Sequence, residues 1–300
     1  MIILLPFLGF ILGAVLGSFA KALADRSLSH KTYWGRSICT YCQKSLKWYD
    51  LFPLLSYLSL RGKCRYCQKK IGIEYVVVEV ALGLLIGYLF YQTFTNFQSF
   101  ILGREVLIII LGLFFKVFFI TVLAILFITD IKDMFIPDRI VLPSIVIAFV
   151  WLVGITIYKV GYLYLSLSQT PIGQKLLPPY SDYFYRHVVM IAEPLYLGLL
   201  MGFLISGFFW GLIIITRGKG MGGGDVKLGG LMGLVLGFPG ALLALMLAFL
   251  SGAIFSIGLI LLGKKHFGES LPFGPFLVLG SLVALFWGNY IINWYLNLGY

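Results

Sequence analysis

Four cysteines stand in two short pairs near the N-terminus of the 300-residue chain. Cys39 and Cys42 belong to "CTYC", Cys64 and Cys67 belong to "CRYC", and the sequence has no other cysteine. Two C-x2-C pairs at this separation suit four thiolates around one tetrahedral Zn²⁺ or another thiophilic metal. Four unrelated thiols or two disulfides are the alternatives, but disulfides do not persist in a reducing cytosol. Because four thiolates leave no open position for a catalytic water, the spacing predicts a structural metal site.

Aspartates at the edges of apolar segments are the second set of side chains that could do chemistry. "FITDIKDMFIPDRI" holds Asp130, Asp133 and Asp138, and "GMGGGDVKLGG" holds Asp225. An ionisable group buried at membrane depth is costly and is therefore a candidate for function. Two adjacent carboxylates share a proton, so one can take a proton from water while the other protonates or polarises a carbonyl. Asp130 and Asp225 are the candidates for such an acid–base pair, as in aspartic proteases.

Ordinary structural roles are also open for these acids. Asp138 follows Pro137 and precedes "RIVL", and Asp225 precedes "VKLGG", so either residue suits a helix N-cap. Asp133, beside Lys132, suits a solvated turn. Asp130 is harder to explain in this way because it directly ends the apolar run "VLAILFIT".

Three glycines, Gly222, Gly223 and Gly224, precede Asp225. Since they carry no side chain, another backbone can approach closely, and an extended peptide could lie beside Asp225. The apolar segment 226–237 that follows has only 12 residues. As a helix it would span about 18 Å of a hydrocarbon core about 30 Å thick, and such a half-helix is tolerated where it lines a cavity or is buried in protein. The stretch therefore predicts the edge of an active site.

The composition places these side chains in a membrane protein. Hydrophobic residues make up 60% of the chain and charged residues 12%, against roughly 25% charged residues in soluble domains. We predict an all-α integral membrane protein with about eight transmembrane helices and a zinc-stapled cytoplasmic loop after the first helix. The predicted spans are Ile2–Ala24, Tyr75–Tyr91, Val106–Thr129, Ile140–Tyr158, Leu195–Thr216, Val226–Gly237, Ala241–Gly263 and Phe273–Leu298.

The basic residues predict the orientation in the membrane. Residues 21–75 hold eleven Lys and Arg against three acids, so the positive-inside rule places this segment in the cytoplasm. Eight spans then put both termini outside, and most of the chain's Lys and Arg inside. The net charge of +11 is thereby explained mainly by topology, with some attraction to anionic membrane lipid, and nucleic acid is not expected as a partner.

Taken together, the motifs resemble those of the type IV prepilin peptidases, membrane aspartic proteases of the GxGD type. The resemblance runs from "GAVLGSFAKALADR" through the cysteine loop, "DIKDMFIPD" and "GMGGGDVKLGGLMG" to "LPFGPFLVLG". It implies that Asp130 and Asp225 are the catalytic aspartates of an enzyme in the bacterial inner membrane. Such enzymes remove the short basic leader of prepilins and pseudopilins at the cytoplasmic face. Residues 1–24 are then the first transmembrane helix, 25–74 the cytoplasmic tetracysteine loop and 75–300 the polytopic peptidase core.

The resemblance also implies a second activity. Many members N-methylate the newly exposed residue with S-adenosylmethionine, and those that do typically carry the cysteine-bearing loop. No glycine-rich nucleotide motif follows a predicted strand here, so spacing alone indicates no site for the methyl donor. Glu79, in "VVVEVALG", is a candidate for contact with the methyl site or the substrate amine. An interfacial residue at the start of a helix is an equally good interpretation of Glu79.

Two other classes of function remain open. Asp130, Asp133 and Asp225 could hold Mg²⁺ in a membrane transferase, which predicts loss of activity with EDTA and a requirement for Asp133. A non-enzymatic assembly or transport component with a zinc-stapled loop would instead keep its function when Asp130 and Asp225 are changed to Asn. The sequence indicates no particular oligomeric state.

Overall fold

Helices make up most of the described structure. The computed structural model describes residues 4–29, 32–33, 35–95, 103–218, 221–264, 266 and 271–297, with the backbone alone at 103–105. These residues contain no β-strand, and seven of their helices are long and apolar enough to cross a membrane. The predicted all-α membrane fold is therefore confirmed. Ile2, Ile3 and Leu298, at the ends of two predicted spans, lie outside the described residues.

The chain forms two compact units, Met1–Pro137 and Asp138–Tyr300. The first unit packs α1 against α3, and α4 against both. Small residues let the α1 and α3 backbones approach closely: a Cβ atom at Gly17 would stand 2.8 Å from the Cα atom of Glu79. The elements of this unit are α1 (Leu4–Leu28), a 3₁₀ helix (Trp48–Leu51), α2 (Leu55–Ser59), α3 (Glu74–Thr95) and α4 (Gly103–Asp133).

The second unit packs α8 between α7 and α9, with α5 against α7 and α8. Its elements are α5 (Asp138–Ser168), α6 (Pro171–Gln174), α7 (Tyr183–Ile215), α8 (Gly223–Leu261) and α9 (Gly274–Asn297). The short helix α6 is capped by Thr170, whose hydroxyl accepts a hydrogen bond from the backbone N–H of Gly173. This unit contains Asp225, in the first turn of α8.

Helix α8 reverses its direction at Gly237. This residue has φ 58° and ψ −171°, and Phe238 is extended; the first of these conformations is essentially restricted to glycine. Gly229, before the break, lies against the ring of Phe209, and Phe249, after it, has its ring centroid 6.4 Å from that of Phe209. In a straight helix, 20 residues would separate these two positions by about 30 Å. The two legs, 223–236 and 239–261, therefore run side by side in opposite directions.

This reversal explains why the described residues form seven helices of spanning length where the sequence predicts eight spans. The predicted segments Val226–Gly237 and Ala241–Gly263 correspond to the two legs of α8, which form one element with an internal break. The first leg is short, as its sequence predicts, and it is buried on α7: a Cβ atom at Gly233 would stand 2.6 Å from the backbone nitrogen of Gly202. The prediction of a half-helix buried in protein is thus consistent with the packing of this leg.

Candidate metal centre and catalytic aspartates

Each cysteine pair lies in a tight turn that is closed by an isolated antiparallel bridge. In both turns, the glutamine after the second cysteine donates its backbone N–H to the carbonyl of the first. Gln43 bonds to Cys39 at 3.0 Å, and Gln68 bonds to Cys64 at 2.9 Å. Both glutamines have positive φ, 55° and 58°. The sequence Cys-x-Tyr-Cys-Gln-Lys, which occurs twice, therefore folds twice into the same turn.

The four sulfur atoms are close enough to bind one metal ion. All four Sγ atoms lie within 4.8 Å of one another, and those of Cys39 and Cys67 are 3.9 Å apart. A tetrahedral Zn²⁺ with Zn–S bonds of about 2.3 Å requires sulfur atoms about 3.8 Å apart. The cysteines are free thiols, so the alternative of two disulfides is not observed. The side chains present therefore fit a four-thiolate metal site.

Asp50 joins the 3₁₀ helix to the second cysteine turn. Its carboxylate accepts hydrogen bonds from Arg65 Nε at 2.8 Å, from the backbone N–H of Lys47 at 3.2 Å and from Tyr66 at 3.4 Å. Burial alone would raise the pKa of Asp50, but the bonds from Arg65 and Lys47 outweigh it and hold this pKa below its usual range. The charged form of Asp50 therefore stabilises the loop around the cysteines.

Burial distinguishes the predicted catalytic aspartates from their neighbours. Asp130, in the last turn of α4, is 5% exposed, and Asp225, in the first turn of α8, is 9% exposed. Asp133 and Asp138 are exposed. Each buried carboxylate lies at the end of a spanning-length apolar helix, where a charge is costly unless function requires it. Each also belongs to a different compact unit of the chain.

The local structure corrects one of the alternatives for Asp225. The N-cap of α8 is Gly222, which has extended dihedral angles, so Asp225 is not the cap. Its carboxylate instead lies in the first turn, near the positive end of the helix dipole. Gly222 and Gly223 are exposed, and among the described residues no atom lies within 4 Å of where their Cβ atoms would stand. The predicted open approach to Asp225 is therefore compatible with these two positions.

Asp138, the third aspartate of "DIKDMFIPD", makes an ion pair with the stretch around Asp225. Its carboxylate accepts a 2.5 Å hydrogen bond from Lys227 Nζ. Ser206 of α7 donates to the carbonyl of Val226 at 3.1 Å. The first bond holds the first turns of α5 and α8 at the same end of the second unit, and the second holds the start of α8 against α7. The structure thus brings Asp138 and Asp225, which are 87 residues apart in the sequence, to one end of the helices of this unit.

Glu79 is buried rather than interfacial. It lies five residues inside α3, which begins at Glu74, and its backbone packs where Gly17 of α1 leaves room. Its Oε2 atom accepts a 2.9 Å hydrogen bond from the backbone N–H of Leu54. The interpretation of Glu79 as a helix-start residue is therefore wrong. A contact with the methyl site stays a prediction, while the observed contact holds the cysteine loop against α3.

Comparison with known proteins assigns the family. Residues 11–93 match the bacterial peptidase A24 N-terminal domain, and residues 183–257 match the type IV leader peptidase family. A prepilin leader peptidase/N-methyltransferase of Bacillus subtilis is 31% identical over 290 residues, which cover 96% of this chain and 97% of that protein. The chain belongs to the type IV leader peptidase family. Similar proteins of the same description occur in Aeromonas salmonicida, at 31% identity over 87% of this chain and 75% of the relative, and in Pseudomonas aeruginosa, at 30% over 87% and 74%.

The family matches cover most of the candidate site residues. The N-terminal match includes the four cysteines and Glu79, and the C-terminal match includes Gly222, Gly223, Gly224 and Asp225. Asp130 lies between the two matched segments, within the region aligned with the full-length relative. No solved structure matches this member of the leader peptidase family.

A network of charges at the end of α1, α3 and α4 was not anticipated from the sequence of this leader peptidase. Lys21 is 1% exposed, and its ammonium lies 2.6 Å from Asp25 and 3.3 Å from Glu74. Lys132, two residues after Asp130, lies 3.3 Å and 2.8 Å from the same carboxylates. The sequence indicates only one part of this network, the i, i+4 pair of Lys21 and Asp25 in "KALAD", because Lys132 is distant along the chain. The network ties both ends of the cysteine loop to the last turn of α4.

Asp25 and Lys132 should contribute unequally to the stability of the protein. Asp25→Asn leaves the buried Lys21 ammonium with Glu74 alone, and we expect a loss of about 3 kcal/mol of stability. Lys132→Met removes a partly exposed cation while Lys21 still bridges both acids, so about 0–1 kcal/mol should be lost. Thermal unfolding of the two variants in detergent measures the difference. Equal losses would contradict the assignment of Lys21 as the buried centre of the network.

Proposed function

We propose that this protein is a membrane aspartic endopeptidase that removes the basic leader of type IV prepilins and pseudopilins. The name shared by its relatives, prepilin leader peptidase/N-methyltransferase, supports this substrate class. The observation that carries the proposal is the burial of Asp130 and Asp225, each at the end of an apolar helix, while Asp133 and Asp138 are exposed. Acidic side chains kept at such positions are expected to be functional.

Asp130 and Asp225 act in this proposal as one acid–base pair. When two carboxylates share a proton, the ionised one takes a proton from water as the water oxygen attacks the scissile carbonyl. The protonated one donates its proton to the carbonyl oxygen. The tetrahedral intermediate then collapses, the C–N bond breaks, and the leaving amine receives a proton from the pair. The pair titrates with two coupled pKa values rather than one for each residue.

The short connection between α4 and α5 supports the pairing of Asp130 with Asp225, which belong to distant motifs. Four residues, 134–137, follow α4 before Asp138 begins α5, and Asp138 binds Lys227, two residues after Asp225. The exposed glycines before Asp225 leave room for an extended peptide to pass its carboxylate. A prepilin segment between the basic leader and the hydrophobic stem is such a peptide.

We assign the catalytic end to the cytoplasmic face of the bacterial inner membrane, with both termini outside. The excess of Lys and Arg in residues 21–75 supports this orientation. By function, the chain divides into the first transmembrane helix at 1–24, the tetracysteine loop at 25–74 and the peptidase core at 75–300. The metal held by Cys39, Cys42, Cys64 and Cys67 is Zn²⁺ in this proposal, and it supplies folding energy to the loop rather than a reactive centre.

A second step, N-methylation of the new N-terminus, is proposed from the same shared name and from the intact cysteine loop. When bound, S-adenosylmethionine would supply the methyl group to the neutral amine of the cut pilin, and the amine would release its proton to solvent water. Glu79 is the residue proposed to contact the methyl site or the substrate amine. Its burial and its hydrogen bond to the loop place a carboxylate beside the segment that carries the cysteines.

The test uses the purified protein in proteoliposomes with a prepilin and S-adenosylmethionine. Mass spectrometry separates uncut, cut, and cut and methylated product. We expect cleavage without added Mg²⁺, and a methyl group only on cut product. Cleavage that requires Mg²⁺ and the Asp133 side chain would favour the metal-dependent transferase class instead, and an intact prepilin in all conditions would overturn the proposal.

A further inference from the structure

The segment between the two cysteine turns exposes five large apolar side chains, and four of them are at least 49% exposed. Trp48 is 73% exposed, Leu55 66%, Leu58 70% and Phe52 49%. We call these four residues the apolar ridge. The rings of Trp48 and Phe52 pack edge to face, with centroids 5.7 Å apart, and Leu55 and Leu58 are i, i+3 neighbours on α2. A group of large exposed apolar side chains of this kind marks an interaction with a partner or a membrane.

The hydrogen bond between Leu54 and Glu79 fixes the position of the ridge along helix α3. Helix α3 has 22 residues, about 33 Å, so it reaches just across a hydrocarbon core of about 30 Å. Glu79 lies five residues inside the helix, about 7.5 Å from its start. The backbone of Leu54, bonded to Glu79 at 2.9 Å, therefore lies level with the second turn of α3.

The backbone at Leu54 is held in an unfavourable conformation to make this contact. Its φ of 61° and ψ of −49° are close to those of a classic γ-turn, which is rare and strained. The carboxylate of Glu79 stabilises this conformation by accepting the N–H of Leu54. Leu54 stands between Phe52 and Leu55 in the sequence, so the contact holds the middle of the ridge beside the second turn of α3.

The net charge of the loop that carries the ridge complements an anionic membrane surface. Residues 35–73 contain one acid, Asp50, which is bonded to Arg65. The same residues contain eight basic side chains, which are Arg36, Lys44, Lys47, Arg61, Lys63, Arg65, Lys69 and Lys70. Basic segments beside a membrane bind anionic headgroups, and apolar side chains beside them enter the acyl boundary. An apolar peptide partner would account for the ridge but not for this charge.

We propose that the apolar ridge inserts into the cytoplasmic leaflet of the protein's own membrane and tethers the cysteine loop to its lipid surface. The ridge enters between lipid headgroups, and the surrounding Lys and Arg bind the lipid phosphates. The loop is thereby kept beside the membrane edge, where a cut substrate would present its new N-terminus. The proposal rests on the cytoplasmic orientation proposed above but on neither catalytic step.

Photo-cross-linking of the full-length protein tests the tether. A benzoylphenylalanine residue replaces Leu58 in one variant and Tyr41 in a control. Tyr41 is also exposed, at 60%, but lies within the first cysteine turn. Both are reconstituted in vesicles of phosphatidylcholine with phosphatidylglycerol, without substrate, and irradiated. We expect severalfold more lipid adducts, read by mass spectrometry, at position 58 than at 41, and more adducts as the phosphatidylglycerol content rises.

Other outcomes would overturn the tether. Equal lipid labelling at both positions shows that the ridge is not inserted. Adducts between two copies of the chain assign the ridge to self-association, and adducts that form with a prepilin alone assign it to substrate binding. Quenching by brominated phosphatidylcholine provides a second measurement, because the quenched part of the emission should fall when Trp48→Phe replaces the wild type. Leader cleavage is measured on the same samples, so a failed tether with intact cleavage leaves the peptidase proposal standing.

Discussion

Asp225→Asn and Asp130→Asn should each leave a prepilin uncut, with cleavage lowered by at least about 10²–10⁴-fold. An asparagine keeps the size of the side chain but can neither take a proton from water nor share one with a second carboxylate. Mass spectrometry of the prepilin after incubation with each variant measures the loss. The two aspartates belong to different helices, α4 and α8, so the same defect from both supports a single acid–base pair.

Asp133→Asn is the matched control for the first variant. Asp133 lies three residues after Asp130 on the same helix but is exposed, and we expect it to keep clear activity. Each inactive variant should also methylate a pilin that has already been cut, because that substrate no longer needs the acid–base pair. Methylation by the Asp225→Asn protein would show that it is folded. Near wild-type cleavage by either asparagine variant would rule out the assigned pair.

Predictions from sequence succeeded where short-range chemistry decides the structure. The spacing of Cys39, Cys42, Cys64 and Cys67 predicts four converging thiols, and the structure brings their sulfur atoms together. The break at Gly237 was anticipated from the short apolar run before it, because 12 residues of helix cannot cross the core. In both cases the structure is determined by residues close in the chain or by a glycine with a required conformation.

Features that depend on tertiary packing could not be predicted in this way. The spacing of "VVVEV" does not show that Glu79 faces α1, since this depends on the absence of a side chain at Gly17. Nor does the sequence indicate that Lys132 reaches Asp25, which is 107 residues away. The N-cap role considered for Asp225 was wrong because Gly222 is the N-cap of α8. Asp130 is buried and Asp133 is exposed, and this difference depends on packing rather than on residue type.

Cys39→Ser or Cys67→Ser should remove the bound metal, which we expect at about one ion per chain in the wild type. A structural Zn²⁺ in small domains contributes about 10–16 kcal/mol of binding free energy, which is also folding free energy. The loop has no extended hydrophobic core to replace it, since its large apolar side chains at the ridge are exposed. Elemental analysis measures the metal, and limited proteolysis should show new cleavage within residues 35–73. Thr40→Ala, an exposed change between the two cysteines of the first turn, is the control that should keep the metal.

The same variants test how the two activities are divided. Peptide hydrolysis is assigned to Asp130 and Asp225, on α4 and α8, whereas methyl transfer is assigned to the cysteine-bearing loop and Glu79. A methyl donor requires a site that orients its methyl group toward a neutral amine, and a loop without its metal cannot hold such a site in place. We therefore expect the cysteine variants to lose methylation to a greater extent than cleavage, seen as cut but unmethylated pilin by mass spectrometry. If both activities fall in parallel while the protein stays inserted, the loop supports the whole enzyme and the division is wrong. If the purified wild type holds no metal, the assignment of the four thiols as a metal site is wrong.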